Sequence, residues 1–274
     1  MKKKSNISNM HVKILGSEKI FGIFKPFLTK PKSTLLILCM VCLAPFYIQC
    51  QNMSPKKLLI FSKTEDFRHE STEVSIEAIK NLCAQNGIKV DATENSEWFN
   101  HKKLQEYDGI MFLNTSGNVF NTEQETAFRE YMQAGGGFIG IHGASTTEYE
   151  WDWFGRMIGG YFNGHPEPQE ATLIVNDTNH LSTQHLPKTW KRFDEWYNFR
   201  WIDEDFHVLI SLDETTYEGG NHKDKHPIAW YKPFEGGRMF YTALGHTEES
   251  YSEEYFLKHV LGGILYAVDK SVND

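Results

Sequence analysis

The sequence is short of cysteine throughout, and short of basic charge outside its first fifty residues. Four cysteines occur in 274 residues, and three of them, Cys39, Cys42 and Cys50, fall within that opening segment. Cys83 alone remains in the body, which excludes a disulfide framework and a thiolate metal site. No apolar run reaches the roughly 20 residues that cross a bilayer as a helix. The unbroken run near the start, Thr34 to Ile48, is fifteen residues long and contains Pro45. Without residues 1–50, 20 basic residues face 35 acidic ones, a formal net charge of −15 with histidine neutral. That balance argues against a nucleic-acid partner. The body also lacks a Ser/Pro linker and internal repeats, so residues 56–269 read as one domain.

What is present at the start reads as a leader. Residues 1–50 hold eight lysines against one glutamate, ahead of and flanking the apolar run. This is the composition of an export signal. No small-x-small cleavage site precedes Gln51, whereas Cys50 directly follows the apolar run, as the acylated cysteine of a bacterial lipoprotein does. Gln49 fits that signal poorly, and plain secretion or an uncleaved anchor are the alternatives. The expected location is exported, either periplasmic or held at the outer membrane by a lipid on Cys50.

From Lys56 onward, short apolar runs alternate with amphipathic segments, the pattern of an α/β fold with a mostly parallel sheet covered by helices. Expected strands are Leu58 to Phe61, Ile88 to Ala92, Gly109 to Leu113 and Phe138 to Ile141. In the second half come Thr172 to Val175, His207 to Ser211, Pro227 to Tyr231 and Arg238 to Thr242. Ser71 or Thr72 can cap a helix that buries Ile76, Ile79, Leu82 and Cys83 and stops at Asn86-Gly87. Cys83 is therefore a core residue by position. A capping box at Thr122 to Glu125 opens a helix carrying Phe128, Tyr131 and Met132. A last helix, Glu253 to Val268, buries Phe256, Val260, Leu261, Ile264 and Leu265. The stretches Thr146 to Pro168 and Asn176 to Arg200 are assigned to loops or short helices, and long loops in a compact domain are usually functional.

Ligands of such sheets bind at the carboxyl ends of the strands. Three histidines fall at such ends: His69 after the first strand, His142 after the fourth and His246 after the last. The segment Gly140-Ile141-His142-Gly143-Ala144 has the small-x-X-x-small form of a nucleophile elbow, whose small neighbours permit a strained turn. Histidine at its centre suits acid/base work near neutral pH or metal ligation better than acyl transfer. Asp194 and Glu195 are adjacent, and in an extended segment only one of them can face a site. Glu195 is favoured, with Asp194 behind it.

Gly245-His246-Thr247-Glu248 resembles the His-x-Glu end of the class I glutamine amidotransferase triad, and Asn114 to Gly117 stands where that fold has its oxyanion loop. The body as a whole, from about Lys57 to Val268, resembles the ThuA-like trehalose-utilisation family. The resemblance rests on Phe67-Arg68-His69, Gly137 to Ser145, Gly160 to Pro166, Asp194 to Phe199, His226 to Trp230, Gly237 to Thr247 and Gly262 to Leu265. It implies a flavodoxin-like three-layer α/β/α sandwich. It also implies a role in carbohydrate catabolism, on keto-sugars made when a partner dehydrogenase oxidises a glycoside at its third carbon. Trp196 replaces a smaller residue common in the family and is expected to reshape the pocket.

Chemistry on a keto-sugar needs a base for the proton beside the carbonyl and an electrophile for the enediolate oxygen. His142, His246 and Glu195 are the candidate bases; His69, Arg68 or a bound metal are the candidate electrophiles. Tyr149, Trp151, Trp153, Tyr161 and Tyr197 can stack on a sugar ring, although a loop clamp on the core is the favoured reading of Trp151 and Trp153; His165, Asp194 and His226 are further substrate contacts. Glu248 can orient His246. Several histidines with a carboxylate can hold a divalent metal such as zinc. The competing readings are a non-catalytic sugar-binding module, a metal-dependent hydrolase, and an amidase, against which the missing thiol argues.

The leader yields a direct test. Metabolic labelling with an alkyne fatty acid is expected to tag the wild-type chain and not Cys50→Ser. Equal labelling of the two removes Cys50 as the lipid site.

Overall fold

The apolar runs of the first half pair in parallel. Lys57–Phe61 lies between Lys89–Thr93 and Gly109–Leu113, and Gly137–Ile141 lies between Gly109–Leu113 and Gly237–Thr242, all in parallel register. From Gly237–Thr242 the sheet continues antiparallel through Pro227–Phe234, His207–Asp213, Gln169–Val175 and Thr189–Asp194. The structure, a computed structural model, describes residues 55–269. Among these residues the result is a nine-stranded mixed sheet. The leader and Cys50 lie outside the described residues.

The two halves differ because their strands are buried differently. Gly109–Leu113 and Gly137–Ile141 are buried along their whole length, as strands covered on both faces must be, and they read as continuous apolar runs. Thr189–Asp194 alternates, with Trp190, Arg192 and Asp194 buried and Thr189, Lys191 and Phe193 exposed. The sequence reading placed this strand within a loop. Two of its three buried residues are charged, so the alternation carries no hydrophobic signal. Two short strands, Gly160–Phe162 and Phe199–Trp201, also pair within the supposed loops.

The helices cover this sheet with shifted details. Thr72–Gln85 buries Thr72, Ser75, Ile79 and Cys83; Ile76 and Leu82 are only half-buried. Ser71 sits at its N-cap without a side-chain cap bond, while the Thr72 hydroxyl donates to the His69 carbonyl. Burial pushes the Cys83 thiol up to about 12, so it stays protonated and inert. The capping box of Thr122–Gln133 lies one residue earlier than expected: Asn121 accepts from the Gln124 N–H and Gln124 accepts from the Asn121 N–H.

Helix Glu254–Val268 buries Phe256, Val260 and Ile264, but Leu265 is exposed and Leu261 half-buried. Glycines set this face. A Cβ on Gly263 would lie 2.3 Å from the Phe240 ring, and one on Gly262 would lie 2.3 Å from the Leu181 carbonyl. Only glycine permits that approach. Among the described residues, no helix is long and apolar enough to cross a membrane.

The same helix carries His259, buried completely and donating from Nδ1 to the Ser182 carbonyl at 2.9 Å. Burial pushes its pKa from 6.5 down to about 3. Between those values the unfolded chain takes up a proton that the folded chain refuses, so stability falls as pH drops from about 6.5 towards 3. His259→Asn keeps a donor for Ser182 and removes the titration. Urea midpoints measured across this range are expected to fall less steeply for the variant, by up to about one proton in slope; parallel curves would show that His259 is not a source of acid lability.

Candidate functional site

The site forms where the ends of the parallel strands meet the loop after the far edge strand. His142 follows Gly137–Ile141 directly and adopts φ +46°, a left-handed conformation rare outside glycine. Its neighbours explain how this is held. A Cβ on Gly143 would press to 3.1 Å on the Asn114 backbone, and one on Gly140 would meet the Tyr241 ring at 2.8 Å. The Tyr241 hydroxyl lies 2.9 Å from both the His142 carbonyl and the Ser145 hydroxyl. The turn is thus fastened to the adjacent strand, and His142 Nδ1 donates to the Ala243 carbonyl at 2.6 Å. That bond leaves Nε2 to face the site.

Asp194 fixes the second approach. Its buried carboxylate accepts the backbone N–H groups of Glu195 (3.0 Å), Gly245 (3.0 Å) and His246 (3.1 Å). It also pairs with Arg192 at 3.1 Å. The Arg192 guanidinium stacks on Trp190 and Phe256. Asp194 therefore holds the backbone that presents Glu195 and His246, and it lies outside the cavity lining.

Glu195 is the hub. Its Oε2 lies 3.4 Å from His142 Nε2 and 3.2 Å from His246 Nδ1, while Oε1 lies 3.1 Å from His165 Nδ1. Burial alone would raise its pKa, but the bonds to His142 and His246 carry it well below the usual carboxylate range. Reciprocally, the Glu195 carboxylate outweighs burial at His246 and raises that imidazole. His69 completes the group, with its ring centroid 4.7 Å from that of His142 and 5.4 Å from that of His246. Burial, reinforced by the neighbouring imidazoles, pushes it down to about 2, so it is neutral. Its Nδ1 is buried without a hydrogen-bond partner.

A cavity of about 460 Å³ opens over this group, lined by Phe67, His69, Tyr149, Phe162, His165, Glu195 and Tyr197 together with Asp66, Ser116 and Thr146. The Tyr197 ring covers His142 at 4.2 Å, and its hydroxyl lies 3.4 Å from His69 Nε2. His142 is wholly buried and absent from the lining. Glu195, 3.4 Å from its Nε2, lies between it and the cavity.

Several sequence assignments change place. Arg68 is held by Glu73 (2.6 Å) and Glu94 (2.8 Å) outside the cavity lining. Trp151 and Trp153 stack on each other at 4.9 Å, with Arg129 against both, and form part of the core. Tyr161 is also core, its hydroxyl donating to the Glu148 carbonyl. Trp196 donates to the Gln169 carbonyl and is absent from the lining, so it does not shape the pocket. His226 is buried behind the site, its ring spanning from the Tyr197 carbonyl to Glu214 at 2.8 Å each. Glu248 is exposed, and the carboxylate against His246 is that of Glu195. Phe67 and Phe162 were missed. Phe67 sits inside the Phe67-Arg68-His69 motif, and its 63% exposure as a large apolar ring is the feature that sequence could not supply.

Asp194→Ala would remove the buried partner of Arg192, leaving its guanidinium to Ser250 and Glu253, and free three N–H groups. Removing one partner of a buried pair typically costs about 3–5 kcal/mol. A urea-unfolding measurement is expected to give a loss of that size, and a loss of less than about 1 kcal/mol would mean that Asp194 is not the tie between these segments.

A ThuA-like protein of Bacteroides uniformis ATCC 8492 superposes with a TM-score of 0.67 at 27% identity, over 80% of this chain and 94% of that one. One of Parabacteroides merdae ATCC 43184 gives 0.68 at 20% identity, over 81% and 92%. A cytoplasmic protein of Salmonella typhimurium LT2 shares the fold with a TM-score of 0.58 at 14% identity, over 78% and 100%. Among curated proteins none matches the chain. The model of the ThuA family, described as trehalose utilisation, matches residues 57–267, a span that takes in every strand of the sheet and every side chain of the cluster, and the chain belongs to that family.

Proposed function

We propose that this protein is an exported enzyme of carbohydrate catabolism that abstracts the proton beside the carbonyl of a keto-sugar or keto-glycoside. The observation that carries this reading is the convergence of His69, His142, His246, His165 and Glu195 from separate segments at an aromatic-lined cavity. Aromatic faces with a few convergent polar groups are what a sugar ring requires. Phe67, Tyr149, Phe162 and Tyr197 provide those faces.

The geometry narrows the roles. His165 lines the cavity; its Nδ1 donates to the Pro166 carbonyl at 2.9 Å and lies 3.1 Å from Glu195 Oε1. With that nitrogen donating, Nε2 carries the lone pair that takes the proton from the carbon beside the carbonyl. Charge then develops on the carbonyl oxygen. His69, kept neutral by burial and lining the same cavity, is the donor for that oxygen, as a neutral imidazole can be. Return of the proton to the neighbouring carbon gives isomerisation. Loss of the glycosidic oxygen from the next carbon, with the proton on His165 Nε2 passing to that oxygen as it leaves, gives elimination. His142 and His246 hold Glu195 and set its charge. The metal-dependent hydrolase and the simple binding module share this cavity but leave the pairing of His165 with Glu195 without a task.

The same reading includes the flavodoxin-like three-layer sandwich, supported by helices Thr72–Gln85 and Glu254–Val268 packing together. It also includes a dehydrogenase that supplies the ketone, and periplasmic or lipid-anchored placement through the leader. Purified protein incubated with 3-keto-trehalose or a 3-keto-glucoside, with and without divalent metal, and followed by NMR, is expected to give isomerised or cleaved product. His165→Ala is expected to lose about 100-fold or more in rate while retaining sugar affinity. Absence of turnover in the wild type overturns the reaction; an unaltered rate in His165→Ala overturns the assignment of the base.

A further inference from the structure

Three atoms of the cluster stand in a nearly equilateral triangle. His142 Nε2 and His246 Nδ1 are 3.2 Å apart, and Glu195 Oε2 lies 3.4 Å from the first and 3.2 Å from the second. Protons cannot satisfy all three edges. If both nitrogens carry hydrogen, each can donate to the carboxylate but the two N–H groups face each other. If only one does, the other nitrogen turns a lone pair towards the carboxylate oxygen. If neither does, every edge is lone pair against lone pair.

A cation at the centre satisfies all three at once. Edges of 3.2 to 3.4 Å place the centre about 1.9 Å from each atom, and a small displacement out of the plane gives the 2.0–2.1 Å bonds of zinc to nitrogen and oxygen. Tetrahedral ligands at that bond length are spaced by about 3.3 Å, which is the spacing found. His142 is prepared for this role, because its Nδ1 donates to the Ala243 carbonyl and directs the Nε2 lone pair into the triangle. An independent observation points the same way. His69 is 96% buried, its Nδ1 has no partner, and its ligand-capable nitrogen lies within 4.8 Å of the other three atoms. Three protein ligands leave a fourth tetrahedral position for water or a substrate oxygen, the arrangement of catalytic rather than structural zinc sites.

We propose that His142 Nε2, His246 Nδ1 and Glu195 Oε2 bind one divalent transition-metal ion of the zinc class, with His69 beside its open position. The inference goes beyond the keto-sugar reading and does not depend on which substrate the cavity takes. When bound, the ion supplies a Lewis acid at the base of the cavity, while His165 remains outside the coordination set.

The test is metal binding itself. Chelator-treated protein is titrated with zinc sulfate by calorimetry and with cobalt chloride by visible absorption, and the zinc-loaded protein is examined by X-ray absorption. One ion per chain, cobalt bands of a four- or five-coordinate site, and scattering from nitrogen and oxygen at about 2.0–2.1 Å are the expected results. His246→Ala and Glu195→Gln are expected to weaken zinc binding by at least the roughly 10–100-fold that follows loss of even an outer partner. His165→Ala is expected to bind like the wild type. Wild-type binding no tighter than that of Glu195→Gln overturns the site, as does a folded His246→Ala, verified by circular dichroism, that binds normally. Stoichiometric metal without turnover of any keto-sugar supports the metal and removes only the sugar reading, whereas turnover by a protein that binds neither zinc nor cobalt keeps the sugar reading and overturns the metal.

Discussion

A carboxylate buried at the end of the outermost strand ties this molecule together. Three strands separate the strand of Asp194 from Gly237–Thr242 in the sheet, yet Asp194 accepts hydrogen bonds from the loop that follows Gly237–Thr242. The tie connects the antiparallel half to the carboxyl ends of the parallel half. Such a carboxylate is tolerated without water because Arg192 and three N–H groups occupy its lone pairs. Removing any one of those donors would leave charge in the core. The next residue in sequence, Glu195, is thereby aimed at the histidines, and His246 is set opposite it.

The cluster is then a matter of crowding like groups under a low dielectric. Several imidazoles brought close together cannot all be protonated, and burial disfavours each charge further. Glu195 answers this by distributing its two oxygens, one to His142 and His246 and the other to His165. The outcome is a gradient across a few ångströms, from neutral His69 to His246, whose affinity for a proton is raised. A cavity with such differentiated groups at one end and aromatic rings around it suits a small polar substrate with flat apolar faces.

Much of this was legible residue by residue. The strained turn at His142 follows from its small neighbours, because Gly140 and Gly143 are the positions where a Cβ would collide. The pairing of Asp194 with Glu195 in opposite roles follows from the alternation of an extended chain. The parallel strands follow from unbroken apolar runs. Other features left no trace. Thr189–Asp194 hides behind charged buried residues, and the Trp151–Trp153 pair looks like a sugar platform until its packing against Phe128 and Arg129 is seen. His165 could be singled out by its place between Gly164 and Pro166, but its partner could not be named.

The sequence by itself determined the family, the parallel core, the buried inert cysteine and the set of histidines and acids from which a site could be made. It did so because local period, small-residue spacing and motif order are properties of neighbours along the chain. Tertiary structure alone decided which of those side chains meet. It brings residues more than a hundred positions apart, such as His142 and His246, to within 3.2 Å through the parallel pairing of Gly137–Ile141 with Gly237–Thr242. It also withdraws Arg68, Trp153 and Glu248 from the cavity. Contacts between distant segments depend on how strands are ordered and how the chain returns, and no local pattern encodes that geometry.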